Sequence, residues 1–302
     1  MNDCVMNDCV MNNRLVQKIE TLVEIRAMVS DWKQAGLTIG LVPTMGNLHA
    51  GHLSLVELAQ QRCDRVVVSV FVNPLQFGPN EDFDRYPRTL AEDIEKLAAL
   101  QVNVMYLPSV AEMYPNGLIQ TVISVPSAIT NVLEGAIRPE HFDGVSTVVC
   151  KLFNMVQPDV AVFGQKDYQQ CLVIQKMVHD LALPLEVVIA PILRDYDGLA
   201  LSSRNQYLST DQRTIAPKLY VALQDVALAI KSGNQNFNAL TEVAIQRLIA
   251  EGFDSVDYFQ ICDAKTVQVA DMNCPKIVVL AVVCLGGTRL LDNIVITLSG
   301  AG

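Results

Sequence analysis

The sequence predicts an α/β fold, a Rossmann-like parallel sheet followed by a smaller α+β C-terminal domain, and three observations predict it. Continuous apolar runs rich in β-branched residues, such as residues 65–73 (RVVVSVFVN) and 159–163 (DVAVF), suit strands buried on both faces of a parallel sheet. Such runs alternate with helix-period segments as far as Pro191, whereas beyond it helices come first and strands follow in succession. Twice, a strand-like run ends in a glycine-containing turn that leads imidazoles or a lysine into a helix, at residues 42–52 (VPTMGNLHAGH) and 159–167 (DVAVFGQKD).

In chain order, Ile19, Leu22, Val23, Ile25, Ala27 and Trp32 predict an amphipathic helix over 19–35, ended by Gly36. A strand over 37–42 runs into the first turn, and the next helix carries Leu53, Val56, Leu58 and Ala59. The strand over 65–73 stops at Pro74, and a loop follows to Arg88. Thr89 and Glu92 have the spacing of a capping box at the start of another helix. Short strands are expected over 102–107 and 121–125, then a polar loop over 133–145 with Arg138 and His141. A helix over 145–156 points Val148, Val149, Leu152 and Phe153 inward, and the strand over 159–163 leads through the second turn into a helix ending about Leu181. After a strand over 186–190, the polar loop 194–205 opens the smaller domain. Ser209 and Gln212 cap a long helix reaching Ile230, with Pro217 either bending it or marking a late start. A helix over 240–250 and strands over 256–262, 277–285 and 289–297 complete the chain.

At 302 residues the chain has room for two domains, placed at 14–191 and 192–302. MNDCV occurs twice before Met11, without the basic-then-apolar pattern of a signal peptide, so residues 1–13 read as a duplicated or artificial, disordered leader. With 51% apolar and 18% charged residues the chain is globular, and a net charge of −10 argues against nucleic acid as a main partner. No long apolar span suggests a membrane segment. The eight cysteines form no C-x-x-C pair and mostly lie in apolar runs, which fits a reduced, cytoplasmic protein.

The first turn concentrates the chemistry. Gly46 and Gly51 allow tight turning or close approach of a ligand, and His49 and His52, three apart, can face one way at a helix start. A helix N-terminus offers free N–H groups and the positive end of a dipole, so a phosphate is a natural occupant. A zinc site would need a third protein ligand, and only His141 and His179 remain. Solvated or structurally bonded histidines are the plainer alternative. Lys166 stands where it can meet phosphate oxygens in the second turn, and Ser202, Ser203 and Arg204 offer hydroxyl and guanidinium donors. Asn73 and Gln76, beyond the carboxyl end of a strand, carry amides that can bond a hydroxyl or carboxylate.

The HAGH of the first turn resembles the His-x-Gly-His signature of the nucleotidyltransferase superfamily, which implies adenylyl or cytidylyl transfer without fixing the acceptor. Together PTMGNLHAGH, FVNPLQF, RPEHFDGV, VFGQKDYQQ and DGLALSSRN resemble the pantoate–β-alanine ligase family over residues 14–297, and residues 287–293 (GTRLLDN) resemble its ending. The resemblance implies that ATP and pantoate form pantoyl adenylate and pyrophosphate, and that β-alanine then displaces AMP to give pantothenate. It implies one wall of the ATP site in Met45, Gly46, Asn47, Leu48, His49, Ala50, Gly51 and His52, and another in Gly164, Gln165, Lys166 and Asp167. Leu193 would lie near adenine, and Leu201, Ser202, Ser203 and Arg204 by the phosphates. His49, Lys166 and Arg204 are implied as the catalytic, phosphate-holding set, with His52 giving a proton or hydrogen bond to the departing group. Gln76 and Gln170 are implied to hold pantoate, with Asn73, Tyr86 and Arg138 near them. The family uses Mg²⁺ with ATP, for which Asp93 is the first match and Glu92 the second, and it implies a homodimer. The SSRN loop, lying beyond the expected hinge near Pro191, is expected to swing onto the phosphates after ATP binds. Two alternatives stand beside this: an adenylyltransferase with another acceptor, and a non-catalytic nucleotide sensor marked by loss of His52, Lys166 or Arg204, all of which are present.

Overall fold

A computed structural model describes residues 16–79 and 81–298, so the leader expected at 1–13, and residues 14 and 15 of the unit expected to follow it, lie outside the described residues. The first strand, β1 (Gln17–Ile19), precedes α1 (Leu22–Gln34), and a capping box closes the helix start: Thr21 accepts the Glu24 N–H while Glu24 accepts the Thr21 N–H. The expected helix start at Ile19 is thereby corrected. Ile19 pairs in register with Tyr106 and is buried in the sheet, an apolar position that fits either period when read alone.

Next come β2 (Ile39–Thr44), α2 (Ala50–Gln60), β3 (Arg65–Val70), α3 (Leu90–Ala99) and β4 (Val104–Tyr106). Three one-turn helices, α4 (Val110–Met113), α5 (Ser127–Thr130) and α6 (Glu134–Ile137), lead to α7 (His141–Val156), β5 (Val160–Gly164), α8 (Tyr168–Asp180) and β6 (Glu186–Ala190). The six strands form one parallel sheet in the order β1-β4-β3-β2-β5-β6. The chain builds outward from β2 through β3 and β4, then returns to place β5 on the other side of β2. That reversal opens a crevice beyond the carboxyl ends of β2 and β5, where ligands of such sheets bind. Both sheet faces are covered: Leu41, Val67 and Phe163 pack under α1, α7 and α8, and Val42, Val68 and Val162 pack under α2 and α3.

Several local expectations change. β3 ends at Val70, and the Asn73 side chain accepts the Leu75 N–H to start a 3-10 turn over Pro74–Gln76. Residues 121–125 form no strand; the Ile123 N–H bonds the Thr147 hydroxyl at 2.9 Å instead of a neighbouring chain. The Thr89–Glu92 capping box does not form, because the Thr89 hydroxyl turns to Asn47 and Asp93. α7 begins four residues earlier than expected and takes His141 out of the loop.

The C-terminal part holds α9 (Thr210–Ile215), α10 (Lys218–Lys231), α11 (Phe237–Ala250), β7 (Ser255–Asp263), β8 (Lys276–Leu285) and β9 (Thr288–Thr297). The Ser209–Gln212 capping box forms, but Pro217 divides the expected long helix into α9 and α10. The three strands make an antiparallel sheet with β8 central, and Phe259, Val279 and Ile296 on one face pack against Leu219, Leu223 and Leu248 of α10 and α11.

Candidate active site

Backbone geometry fixes the first turn. Gly46 has φ +84°, and a β-carbon there would press on Val70 at 3.0 Å and Asp93 at 3.3 Å. Asp93, only 1% exposed, accepts the Asn47 N–H at 2.9 Å and the Leu48 N–H at 2.7 Å, one on each carboxylate oxygen. Leu48 packs into the core beneath, and its carbonyl accepts from Lys96. Gly46, Asn47 and Leu48 are thus the underside of the turn, and Ala50 is exposed at the first residue of α2; none of the four lines the crevice.

His49 is the N-cap of α2 and His52 its third residue, and imidazoles perform a capping role usually given to hydroxyls and carboxylates. Nδ1 of His49 accepts the Gly51 N–H at 3.1 Å, and Nδ1 of His52 accepts the His49 N–H at 3.3 Å. Each neutral ring therefore carries its proton on Nε2, leaving an N–H to offer the crevice that both rings line. The rings lie 4.1 Å apart, and a β-carbon on Gly51 would meet His49 at 2.8 Å, so the glycine makes room for the ring. Burial, and next the charge of Lys166, holds the His49 pKa down to about 4. Burial, and next His49 itself, holds His52 down to about 3. Both are uncharged hydrogen-bond donors at neutral pH.

These depressed values link protonation to folding. Unfolded histidines titrate near 6.5, so between pH 6.5 and 4 the unfolded chain binds more protons and stability falls as pH falls. Buried His141 is shifted the same way, by burial and then Arg138. The urea midpoint should drop between pH 6.5 and 5, above the carboxylate range, and His49→Gln/His52→Gln should flatten that slope. An equally steep slope in the double variant would refute the neutral assignment.

The crevice has a volume of about 240 Å³. Met45, His49, Gly51 and His52 line it from the first turn, and Gly164, Lys166 and Asp167 from the second. Leu193, Leu201, Ser202, Ser203 and Arg204 close over it from the segment after β6. Gln165 points away, donating to Asn293 of β9 at 3.0 Å, while Asn293 returns bonds to the Gln165 and Lys166 carbonyls. The Ser203 hydroxyl bonds the Asn47 carbonyl, and Arg204 forks onto Asp82 at 2.9 and 3.1 Å beside the buried ring of Tyr86. Asp82 was not anticipated from sequence; a lone aspartate in a polar loop gives no signal of its distant partner.

Gln76, Gln170, Tyr86 and Arg138 line the crevice as well. Asn73 does not: at 1% exposure it donates to the Gly144 carbonyl and to Gln76 Oε1 (3.2 Å) and accepts from Tyr114 at 2.6 Å, so it orients Gln76 rather than facing the crevice. Gly144 lets α7 approach this turn, since a β-carbon there would fall 2.3 Å from the Leu75 carbonyl. Val145, Val148, Val149 and Leu152 of α7 give the crevice an apolar wall. Their helical spacing gave the sequence reading a core face, and the same face borders the crevice.

Neither expected metal residue fits. Asp93 has both oxygens committed to backbone N–H groups, and Glu92 is an exposed partner of Lys96 at 3.7 Å. Among the described residues no group of three or more His, Cys, Asp or Glu side chains is arranged to hold a metal.

Residues 17–295 match the family model for pantoate-beta-alanine ligase. The chain is 55% identical over 280 residues to the pantothenate synthetase of Hydrogenovibrio crunogenus, covering 93% of this chain and 99% of that one. It is 52% identical over 283 residues to that of Ectopseudomonas mendocina, with the same coverage. Among solved structures, the Thermus thermophilus enzyme matches with a TM-score of 0.85 at 43% identity, over 92% of this chain and 99% of that one. The Francisella tularensis ligase, solved with βγ ATP and β-alanine, matches with a TM-score of 0.78 at 34% identity, over 92% and 97%. With residues 17–295 matching the family model and a relative 55% identical covered to 99% of its length, the chain belongs to the pantoate–β-alanine ligase family.

Proposed function

We propose that the crevice beyond the carboxyl ends of β2 and β5 is where this ligase condenses pantoate with β-alanine to pantothenate, using ATP and releasing AMP and pyrophosphate. One observation carries the assignment of the site: His49, His52, Lys166 and Arg204 line one cavity together with Gln76 and Gln170. Pantoate's carboxylate is already ionised and attacks the α-phosphorus directly, forming pantoyl adenylate as the bond to pyrophosphate breaks. The protein's work is to align two anions and to stabilise charge building on phosphoryl oxygens. The histidine Nε2–H groups, Lys166, Arg204 and the serine hydroxyls supply those donors, and Leu193 borders adenine. Gln76 and Gln170 orient the acid without the tight pairing by which an arginine would blunt its nucleophilicity. The valines of α7 keep water from the acyl adenylate. The β-alanine amine then attacks the acyl carbon, its proton lost in a desolvating pocket, and AMP leaves.

Mg²⁺ belongs, in this reading, to the nucleotide substrate, with its coordination completed by phosphates and water rather than by Asp93 or Glu92. Residues 14–191 and 192–302 act as two domains, the second a lid that carries Ser202–Arg204. The protein works in the cytoplasm, in keeping with six unpaired cysteines among the described residues, and no described helix is long and apolar enough to cross a membrane. It acts as a homodimer: Leu118, Ile119 and Val122 stand exposed, Ile119 at 98%, beside segment 121–125, which pairs with no strand among the described residues. Ile119→Glu should shift the chain to monomer in light scattering, and a monomeric unsubstituted chain would sink the dimer.

Product analysis tests the reading as a whole. Incubation with ATP, pantoate and β-alanine should yield pantothenate and AMP in equal amounts, and labelled pyrophosphate should exchange into ATP only when pantoate is present. Exchange indifferent to pantoate would assign a different acceptor.

A further inference from the structure

Arg289 lies on β9 of the C-terminal sheet and is not among the residues that line the crevice. Its guanidinium forks onto Glu134 of α6, with Nη1 donating to Oε1 at 2.7 Å and Nη2 to Oε2 at 3.0 Å, while Nε donates to Asp257 of β7 at 2.8 Å. Glu134 is mostly buried and also accepts from Arg138 at 3.3 Å. Arg138 in turn forks onto Glu81 at 2.5 and 2.7 Å, and its Nη2 donates to the backbone carbonyl of Gln76 at 3.1 Å. The same carbonyl accepts the Nδ1–H of His141 at 2.8 Å, and Arg138 lies 3.2 Å from the ring's other nitrogen. With Nδ1 donating to a carbonyl, neutral His141 has a free lone pair on Nε2 for the Arg138 N–H, so the unit Arg138–His141 grips one oxygen from two sides.

Glu134 is itself held with unusual firmness. Its N–H is accepted by Gln169, whose amide is fixed by the Ile129 and Val132 carbonyls. The preceding residue, Leu133, adopts φ +52° and ψ −121°, a conformation costly for a branched side chain. A β-carbon on the following Gly135 would fall 1.7 Å from the Thr130 carbonyl. The segment thus tolerates backbone strain and a glycine-only contact at the point where Glu134 meets arginines from two different parts of the chain.

We propose that Arg289 is a positioning residue for the acid substrate: through Glu134 and Arg138 it sets the backbone, and so the amide, of Gln76. Docking of the C-terminal sheet therefore completes the pantoate end of the crevice as well as its phosphate end. The inference rests on the assignment of Gln76 to pantoate. Removing the arginine leaves Glu134 with a single ionic partner, frees Arg138 to turn toward it, and loosens the grip on the Gln76 carbonyl. The ATP end is fixed by Asp93, Gly51 and Asn293 and does not depend on this chain of contacts.

The test is pantoate-dependent pyrophosphate exchange with the full-length chain, comparing Arg289→Met, Glu134→Gln and the double variant. The charge-neutral double variant removes both partners and keeps the comparison usable should the single arginine change impair folding. The KM for pantoate is expected to rise about tenfold in each, no further in the double variant than in the singles, with the KM for ATP and kcat within about twofold of the unsubstituted chain. Parallel rises in both KM values, additive effects in the double variant, or an unmoved pantoate KM would overturn the proposal. The unsubstituted chain separates the two possible failures. Absence of pantoate-dependent exchange there would remove the acid site and this inference with it, whereas normal exchange with unmoved variants would remove only the coupling.

Discussion

His52→Ala should lower adenylate formation by about a hundredfold or more, read as pantoate-dependent pyrophosphate exchange at saturating ATP. The reason is specific to how the ring is held. His52 is half-buried at the third position of α2, its Nδ1 is taken by the His49 N–H, and its pKa is pushed down to about 3. It therefore meets developing phosphate charge as a fixed neutral donor that needs no reorganisation during the reaction. Two controls sharpen the expectation. His52→Gln keeps an N–H and should recover part of the loss. The pH profile of the unsubstituted enzyme should show no limb near 6.5, because both active-site histidines are already neutral there. A limb at that pH that vanishes in His52→Gln would establish an imidazolium and refute the donor role.

Asp93→Ala should be the most destabilising single change in the first turn, by about 3 kcal/mol, because it leaves one buried and one part-buried backbone N–H group without acceptors. Those N–H groups belong to Asn47 and Leu48, so the turn they anchor should loosen and adenylate formation should fall with it. Urea unfolding measures the first effect and pyrophosphate exchange the second. A variant with unchanged stability but an altered Mg²⁺ requirement would restore Asp93 as a metal ligand, the role the family resemblance had suggested for it.

Asp93 also shows where sequence stops being legible. The fold class could be read because it rests on local features: β-branched runs for β3 and β5, helical spacing in α7, and the capping box at Ser209. That residues 49–52 and 164–167 would meet at one cavity was legible because imidazoles and a lysine follow glycines within one turn. What could not be read was long-range pairing. Nothing near Asp93 reveals that its oxygens bond a turn 45 and 46 positions away, and nothing near Asn73 reveals that Gly144 is its neighbour. Short-range ambiguity explains the smaller misreadings. Ile19 suited a strand as well as a helix, and Thr89 had the right spacing for a cap but a better use for its hydroxyl.

The pairing of Arg204 with Asp82 has a thermodynamic consequence. The guanidinium that meets phosphate in our reading is already engaged by a tethered carboxylate, at 2.9 and 3.1 Å, in a chain whose net charge is −10. Nucleotide entry is then an exchange of anions rather than the filling of a bare cation. Asp82 behaves as a resident competitor of fixed effective concentration, a threshold that stray monovalent anions fail to cross and that a multidentate triphosphate exceeds.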